Sequence, residues 1–309
     1  MILVTGANGQ LGRCLIDLLP QEQVKLTDVV IDTKLSRTVD ILDITDFEAV
    51  KAYVRDYNIS CVVNCAAYTA VDKAEDEVEL VTKINVDGPK NLALSGVNTV
   101  IHVSTDYVFD GTAHKPLTPY DKANPISVYG KTKLEGEQQL LTNVKGNAIV
   151  IRTAWLYSIY GNNFVKTMQK LGTERSEINV VVDQVGTPTL ANDLAEVIVI
   201  ILNKLQANKT QVSNNVQSNS QINSQSLTNF IKEVYHFSNE GVCSWYDFAV
   251  AIMKGTNLSC KVNPIPTSAY PTRANRPLYS VLDKTKIKEH FGIKIPHWQE
   301  SLEKCLSQF

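Results

Sequence analysis

Short apolar runs alternate with helical periodicities through the first half of the chain. Residues 2–5, 29–32, 61–65, 100–104 and 148–152 are brief runs dominated by Val, Ile, Leu and Cys. Runs of this kind fit strands buried on both faces. Between them, residues 10–19, 46–57, 74–95 and 127–142 carry apolar side chains at three- and four-residue spacing, the signature of helices with one buried face. Strand–helix alternation predicts a parallel sheet covered on both sides, with right-handed crossovers. Ligands of such sheets lie beyond the carboxyl ends of the strands, so functional side chains should follow strands directly.

Past residue 155 the pattern loosens, punctuated by Gly186-Thr-Pro188, Asn263-Pro-Ile-Pro266 and Tyr270-Pro271. This change divides the chain into residues 1–156, with part of 180–205 returning to them, and a smaller lobe made of 157–179 and 230–309. Residues 206–226 are rich in Asn, Gln and Ser. Such a composition buries too little apolar surface to offset its ordering entropy and predicts a mobile polar loop.

The first apolar run leads straight into Gly6-Ala-Asn-Gly9-Gln-Leu-Gly12. A strand, then glycines three apart, then an apolar-periodic helix is the context of a dinucleotide-binding turn. The first glycine makes the turn, the second lets backbone N–H groups approach a pyrophosphate, and the third lets the helix pack on the strand. The helix N-terminus adds its partial positive charge. The fold expected is α/β: a Rossmann-type doubly wound parallel sheet, with the smaller C-terminal lobe binding the substrate.

Such a fold needs an acceptor for the adenosine ribose after the second strand. Asp32 follows Gly12 by 20 residues, against the expected ~20; Asp28 competes with it. A carboxylate there favours a ribose 2′-hydroxyl, whereas Lys34 and Arg37 suit a 2′-phosphate, so NADH and NADPH both stay open. Asp43-Ile44 could meet the adenine or belong to a helix N-cap at Thr45 or Asp46. Asn64-Cys-Ala-Ala67 places small residues where backbone would pass beside a cofactor.

Composition narrows the picture. The chain has 309 residues, 44% hydrophobic and 20% charged, with a net charge of −2 that implies no basic face for nucleic acid. The longest apolar runs, such as 197–202, are far short of the ~20 residues of a membrane span. No signal peptide fits a chain whose residue 2 already belongs to a strand, and the expected setting is cytoplasmic. Six scattered cysteines (14, 61, 65, 243, 260 and 305) read as reduced thiols. The five histidines are dispersed without zinc spacing, and His102 reads as a core-strand histidine.

Candidate chemistry follows the fourth strand, which ends Val103-Ser104-Thr105-Asp106-Tyr107. One crossover later, Tyr129 and Lys133 stand four apart on one helix face. Hydride delivery to a ketone builds charge on its oxygen. A phenol can donate the proton, an adjacent ammonium would lower its pKa, and a Thr105 hydroxyl would steady the oxygen. Lys133 would also hold the nicotinamide ribose hydroxyls.

These residues resemble those of the extended short-chain dehydrogenase/reductase superfamily and, within it, the dTDP-4-dehydrorhamnose reductase family. The similarity runs through residues 4–12, Cys65-Ala-Ala-Tyr-Thr-Ala-Val-Asp-Lys-Ala-Glu75, Ser104-Thr-Asp-Tyr-Val-Phe-Asp-Gly111 and Tyr129-Gly-Lys-Thr-Lys-Leu-Glu-Gly136. It continues through Arg152-Thr-Ala-Trp-Leu-Tyr157, residues 161–168, Asp183-Gln-Val-Gly-Thr-Pro-Thr189, residues 244–248 and Arg276-Pro277. The resemblance implies a catalytic set of Thr105, Tyr129 and Lys133. It implies cofactor contacts from Gly6, Asn8, Gly9, Gln10, Leu11, Gly12, Asp32, Asp43, Ile44, Ala66, Ala67 and Tyr68, besides Tyr129 and Lys133. Asp72, Thr105, Asp106, Tyr107 and Trp155 would line the sugar and nicotinamide pocket, and Asn163, Gln184 and Arg276 would meet a nucleotide-sugar. The activity implied is reduction of a 4-keto nucleotide-sugar by NADPH or NADH.

Two departures stand out. The 206–226 segment is longer than in the family, and Cys14, Asn192 and Gln299 stand where some members hold magnesium between subunits with glutamates. Neutral side chains make a poor hard-cation site, so the expectation is no metal and a monomer or weak homodimer. A dehydratase would carry Glu where Tyr107 stands. An epimerase fits the Trp155 and Gln184 segments less well. A non-catalytic regulator, like the regulatory subunit of methionine adenosyltransferase, would lack the 152–157 signature.

Overall fold

A computed structural model describes residues 1–32, 37–218 and 230–309. The strands are β1 (Ile2–Thr5), β2 (Val24–Asp28), β3 (Asp40–Ile41), β4 (Cys61–Asn64), β5 (Thr99–Thr105) and β6 (Asn147–Thr153), then the short β7 (Leu156–Tyr157), β8 (Glu177–Val181), β9 (Val185–Gly186), β10 (Thr189–Leu190), β11 (Lys232–His236), β12 (Cys243–Ser244) and β13 (Lys261–Ile265). The helices are α1 (Gln10–Leu18), α2 (Phe47–Asp56), α3 (Val71–Ala74), α4 (Val78–Thr82), α5 (Gly88–Leu94), α6 (Val128–Asn143), α7 (Phe164–Glu174), α8 (Ala191–Ser218), α9 (Trp245–Gly255), α10 (Thr285–Phe291) and α11 (Trp298–Leu306).

Seven strands form one parallel sheet in the order β11-β6-β5-β4-β1-β2-β3. The order reverses between β1 and β4, and the crevice at that switch point opens beyond the strands' carboxyl ends. Alternate residues of each strand feed opposite cores. Val4, Val63, Ile101 and Ile149 face α1, α8 and α10, while Leu3, Val62, Val100 and Val150 face α2, α5 and α6. A separate core joins Tyr157, Met168, Ile178, Phe248, Ile252 and Trp298 from the later elements. Among the described residues no helix is long and apolar enough to cross a membrane.

Three expectations need correction. The second strand is not 29–32 but Val24–Asp28, because β1 offers only a short ladder and pairs Ile2 with Val24 through Thr5 with Thr27. Val29, Val30 and Ile31 lie past the sheet edge, 58%, 64% and 54% exposed, so an apolar run there was no sign of burial. Residues 230–309 do not all belong to the second lobe. β11 is the sheet's edge strand, where Lys232-Glu-Val-Tyr-His236 tolerates polar residues because it has one neighbour among the described residues, and α10 packs Ile287 and Phe291 into the sheet's core. The 206–226 loop gives way to helix as far as Ser218; the remainder, 219–226, lies outside the described residues. A helix nucleated on the apolar start of α8 (Ala195, Ile198, Ile201 and Leu202 are buried) extends at small cost per added residue, so polar composition alone does not end it.

α6 is anchored to β6 by a buried ion pair. Arg152 Nε donates to Glu137 Oε1 at 2.9 Å and Nη2 donates to Oε2 at 2.7 Å, with both side chains nearly inaccessible. Removing one partner strands the other charge in the core. Arg152→Leu is expected to destabilise the protein by about 3–5 kcal/mol, read as a lower urea midpoint, whereas Arg152→Leu combined with Glu137→Leu should recover most of that loss.

Candidate active site

The glycine turn is built by contact. Gly6 has φ +66°, and a Cβ there would lie 2.6 Å from the Ala66 backbone nitrogen. Only glycine lets β1's exit pass against the end of β4. Gly9 stands at the N-cap of α1 and offers no capping side chain, so the first N–H groups of the helix remain open to an anion.

A cavity of about 550 Å³ lies over this turn. Gly6, Gly9, Gln10, Leu11 and Gly12 form one wall, with Cys65 and Ala67 from the end of β4. Thr105, Asp106 and Tyr107 enter from the end of β5, Tyr129 and Lys133 from α6, and Trp155 from the segment after β6. The volume is of the size that holds a small-molecule ligand or cofactor. Predicted catalytic and glycine residues, separated by 93 to 127 positions, thus share one space.

The donors and acceptors there are specific. Thr105 Oγ1 donates to Asp106 Oδ1 at 3.1 Å and accepts the Tyr107 N–H at 3.2 Å. Tyr107 and Tyr129 meet edge to face at 5.5 Å. Burial pushes the Tyr129 phenol up to about 12, a hydrogen bond with the Thr105 hydroxyl draws it back, and the Asp106 charge raises it further. The acidified phenol expected from sequence is therefore not seen. Lys133 Nζ instead donates to the Val103 carbonyl oxygen at 2.7 Å and lies 3.3 Å from His102 Nε2. Burial pushes Lys133 down to about 8. Asp106, 2% exposed, is pushed up to about 6 by burial, against hydrogen bonds from Ser280 and Thr105.

Trp155 adopts φ +49°, a strained value for a bulky residue, and stacks on Trp245 at 3.7 Å. Beside it runs a groove of about 520 Å³ lined by Gln184, Arg276, Phe164, Tyr270 and the same Trp245. Arg276 grips Asp72 with two hydrogen bonds, Nη1 to Oδ1 at 3.1 Å and Nη2 to Oδ2 at 2.6 Å, which hold that carboxyl below its usual range. Gln184 donates to Thr267 Oγ1 at 3.2 Å.

Other predicted residues stand differently. Asp28, not Asp32, ends β2, and its Oδ2 accepts the Asn8 N–H at 3.0 Å. Asp32 pairs with Arg13 of α1. Arg37 donates to the Ile16 and Leu19 carbonyls and so caps α1; Lys34 lies outside the described residues. Asp43 makes a local turn to the Thr45 N–H, Asp46 caps α2, and Ile44 is buried in the core. Ala66 packs on Gly6, and the Tyr68 N–H donates to Asn85 Oδ1. Asn163 caps α7 and donates to Gln10 Oε1 at 3.0 Å, tying the glycine turn to the later lobe. Sequence reasoning missed Trp245 as a wall of both cavities, although its segment carried the family resemblance, and missed Asn64 and His102 behind Lys133.

A parallel sheet in this order, with a glycine turn at its switch point and a Tyr/Lys helix facing that turn, defines a Rossmann-type oxidoreductase of the extended short-chain dehydrogenase/reductase kind. A family model described as the RmlD substrate binding domain matches residues 1–309, and the chain belongs to that family. It is similar to the dTDP-4-dehydrorhamnose reductase of Aggregatibacter actinomycetemcomitans, 39% identical over 98% of this chain and 97% of that protein. It is similar also to the Bacillus subtilis (strain 168) spore coat polysaccharide biosynthesis protein SpsK, 35% identical over 99% of this chain and 97% of that one. Among solved structures, a dTDP-4-dehydrorhamnose reductase of Clostridium acetobutylicum superposes with a TM-score of 0.82 at 40% identity, covering 99% of this chain and 98% of that one. The Bacillus anthracis str. Ames reductase in complex with NADP gives 0.81 at 36% identity, covering 100% and 99%.

The raised Asp106 carboxyl has a consequence for stability. A group whose folded pKa exceeds its unfolded value supports the fold fully below the unfolded pKa, near 4, and loses that support as pH rises through about 6. Asp106→Asn should therefore gain stability relative to the parent between pH 4 and pH 7, by up to roughly 3 kcal/mol. Urea melts at both pH values check this.

Proposed function

We propose that this chain is a cytoplasmic reductase that uses NADPH or NADH to convert the C4 keto group of dTDP-4-dehydro-L-rhamnose to the alcohol of dTDP-L-rhamnose. The observation that carries the reading is the shared cavity, in which Thr105, Tyr129 and Lys133 face the glycine turn. The dinucleotide supplies the hydride. The bare N-terminus of α1 and the Gly6–Gly12 backbone suit its pyrophosphate, with Asp28 and Asp32 on the ribose side.

Tyr129 is the general acid. A phenol held near 12 keeps its proton at neutral pH and has it ready for the carbonyl oxygen as charge develops there. Thr105 hydrogen-bonds the same oxygen, and Lys133 stabilises the phenolate left behind and holds ribose hydroxyls. Asp106, Tyr107 and Trp155 wall the sugar. The adjoining groove takes the nucleotide, with Arg276 turning its fork from Asp72 toward the diphosphate and Gln184 beside it. In this reading β11 and α10 belong to the dinucleotide half, and the core joining α7, α9 and α11 forms the substrate lobe.

We infer further that the protein is a monomer or a weak homodimer without interfacial magnesium. Cys14 Sγ donates to Asn192 Oδ1 at 3.5 Å, and burial pushes the thiol up to about 12. A protonated thiol and an amide are weak ligands for a hard cation. Chelation with EDTA should leave the sedimentation profile unchanged.

NAD(P)H absorbance with dTDP-4-dehydro-L-rhamnose tests the main reading. Tyr129→Phe should lower kcat by about 10²–10⁴-fold, while NADPH still quenches protein fluorescence; cofactor binding without turnover in the parent would instead favour a regulatory subunit. Arg276→Leu should raise KM for the nucleotide-sugar by about 10–100-fold, the loss of a charge-assisted pair of hydrogen bonds, with kcat less affected.

A further inference from the structure

Behind Lys133 runs a chain of buried polar groups that the proposed reaction does not use. Thr5 Oγ1 donates to Asn64 Oδ1 at 2.6 Å, and the Ala66 backbone N–H donates to the same oxygen at 3.2 Å. Asn64 Nδ2 is 2.9 Å from His102 Nδ1, and His102 Nε2 is 3.3 Å from Lys133 Nζ. Thr5, Asn64, His102 and Lys133 are each no more than 1% exposed, so water cannot substitute for a missing partner.

Proton bookkeeping along this chain has one solution. A backbone N–H can only donate, so the Asn64 atom facing Ala66 is the oxygen and the atom facing His102 is the amide nitrogen. His102 Nδ1 must then accept. In a neutral imidazole the other nitrogen carries the hydrogen, and burial holds His102 well below its usual pKa, in the neutral form. Nε2–H therefore points at Lys133. An ammonium has three donors and no acceptor, and would meet that N–H donor to donor. An amine has a lone pair to receive it, while one of its own hydrogens goes to the Val103 carbonyl oxygen.

We propose that His102, held in one tautomer by Asn64, is a positioning residue for Lys133: above the pH at which Lys133 gives up its proton, the His102 Nε2–H donates to the lysine amine and retains Nζ in the buried rotamer. Protonation removes the acceptor, and the ammonium is released toward the cavity, where Tyr129 lies one helical turn away. The other titratable groups around Lys133 do not replace this control. Cys65 at the end of β4 is pushed up to about 12 by burial and stays a thiol, and Glu137, one turn further along α6, is engaged by Arg152 of β6. The effect of this switch on turnover rests on the function proposed above; the tautomer does not.

The test is nuclear magnetic resonance on the full chain. With ¹⁵N-histidine, long-range ¹H–¹⁵N correlations should show His102, assigned by its loss in His102→Met, as the neutral Nε2–H form at pH 7. An Nδ1–H tautomer or an imidazolium would overturn the proposal. With [¹³Cε]lysine, assigned through Lys133→Arg, the Lys133 midpoint in His102→Met should rise by about one pH unit, the loss of one hydrogen bond to the amine form; an unchanged midpoint in the folded variant would also overturn it. Should His102→Met not fold, the isosteric Asn64→Asp serves. A carboxylate facing Nδ1 accepts where the amide donated, so the tautomer should flip to Nδ1–H, and retention of Nε2–H would refute the role given to Asn64. None of these readouts needs turnover, so they stay informative if the substrate proves to be another.

Discussion

The close backbone approach of Gly6 to Ala66 at the switch point conditions the geometry of the whole site. No side chain fits between the exit of β1 and the end of β4, and the crevice of the doubly wound sheet opens there. Because the strands are parallel, their carboxyl ends all reach this edge. Thr105 after β5 and Trp155 after β6 are brought to the glycine turn by topology and not by sequence proximity.

α6 supplies the other half of the site. Ser127 caps its first turn, accepting the Gly130 N–H at 3.1 Å, and Arg152 grips Glu137 further along. Tyr129 and Lys133 lie within that held length, so their side chains have little freedom to reposition through backbone motion. Burial acts on both in opposite directions, raising the phenol and lowering the amine, because in each it disfavours the charged form. A Tyr–Lys pair that would acidify the phenol in water is thus, in this packing, a neutral acid beside a lysine that gives up its proton easily.

The second lobe meets the first through polar contacts at the mouth of the cavity. Gln10 links to Asn163 and Ser158, and Arg276 links to Asp72. All of these side chains except Ser158 were read from sequence as ligand contacts. Asn163 turns out to be occupied as a helix cap, whereas Arg276 and Asp72 satisfy each other in a pair whose charge-assisted hydrogen bonds a phosphate could take over. The difference lies in exposure: the Asp72 side chain is 46% accessible, and an exposed pair is exchanged at modest cost.

What the chain alone determined were the features written in local spacing: the glycine turn after a Val/Ile/Leu strand, the strand–helix alternation of the first half, and the Tyr129–Lys133 helix face. Each rests on residues within one turn or one strand of each other. The tertiary structure decided everything that depends on ladder length or on a distant partner. β1 is short, so its neighbour ends at Asp28 and the apolar run beyond it is left in solvent. β11 is polar, yet it joins the sheet because an edge has one neighbour only. His102 was legible as a buried histidine, but the direction of its N–H depends on a backbone amide 36 positions away in the chain, and no spacing rule carries that information.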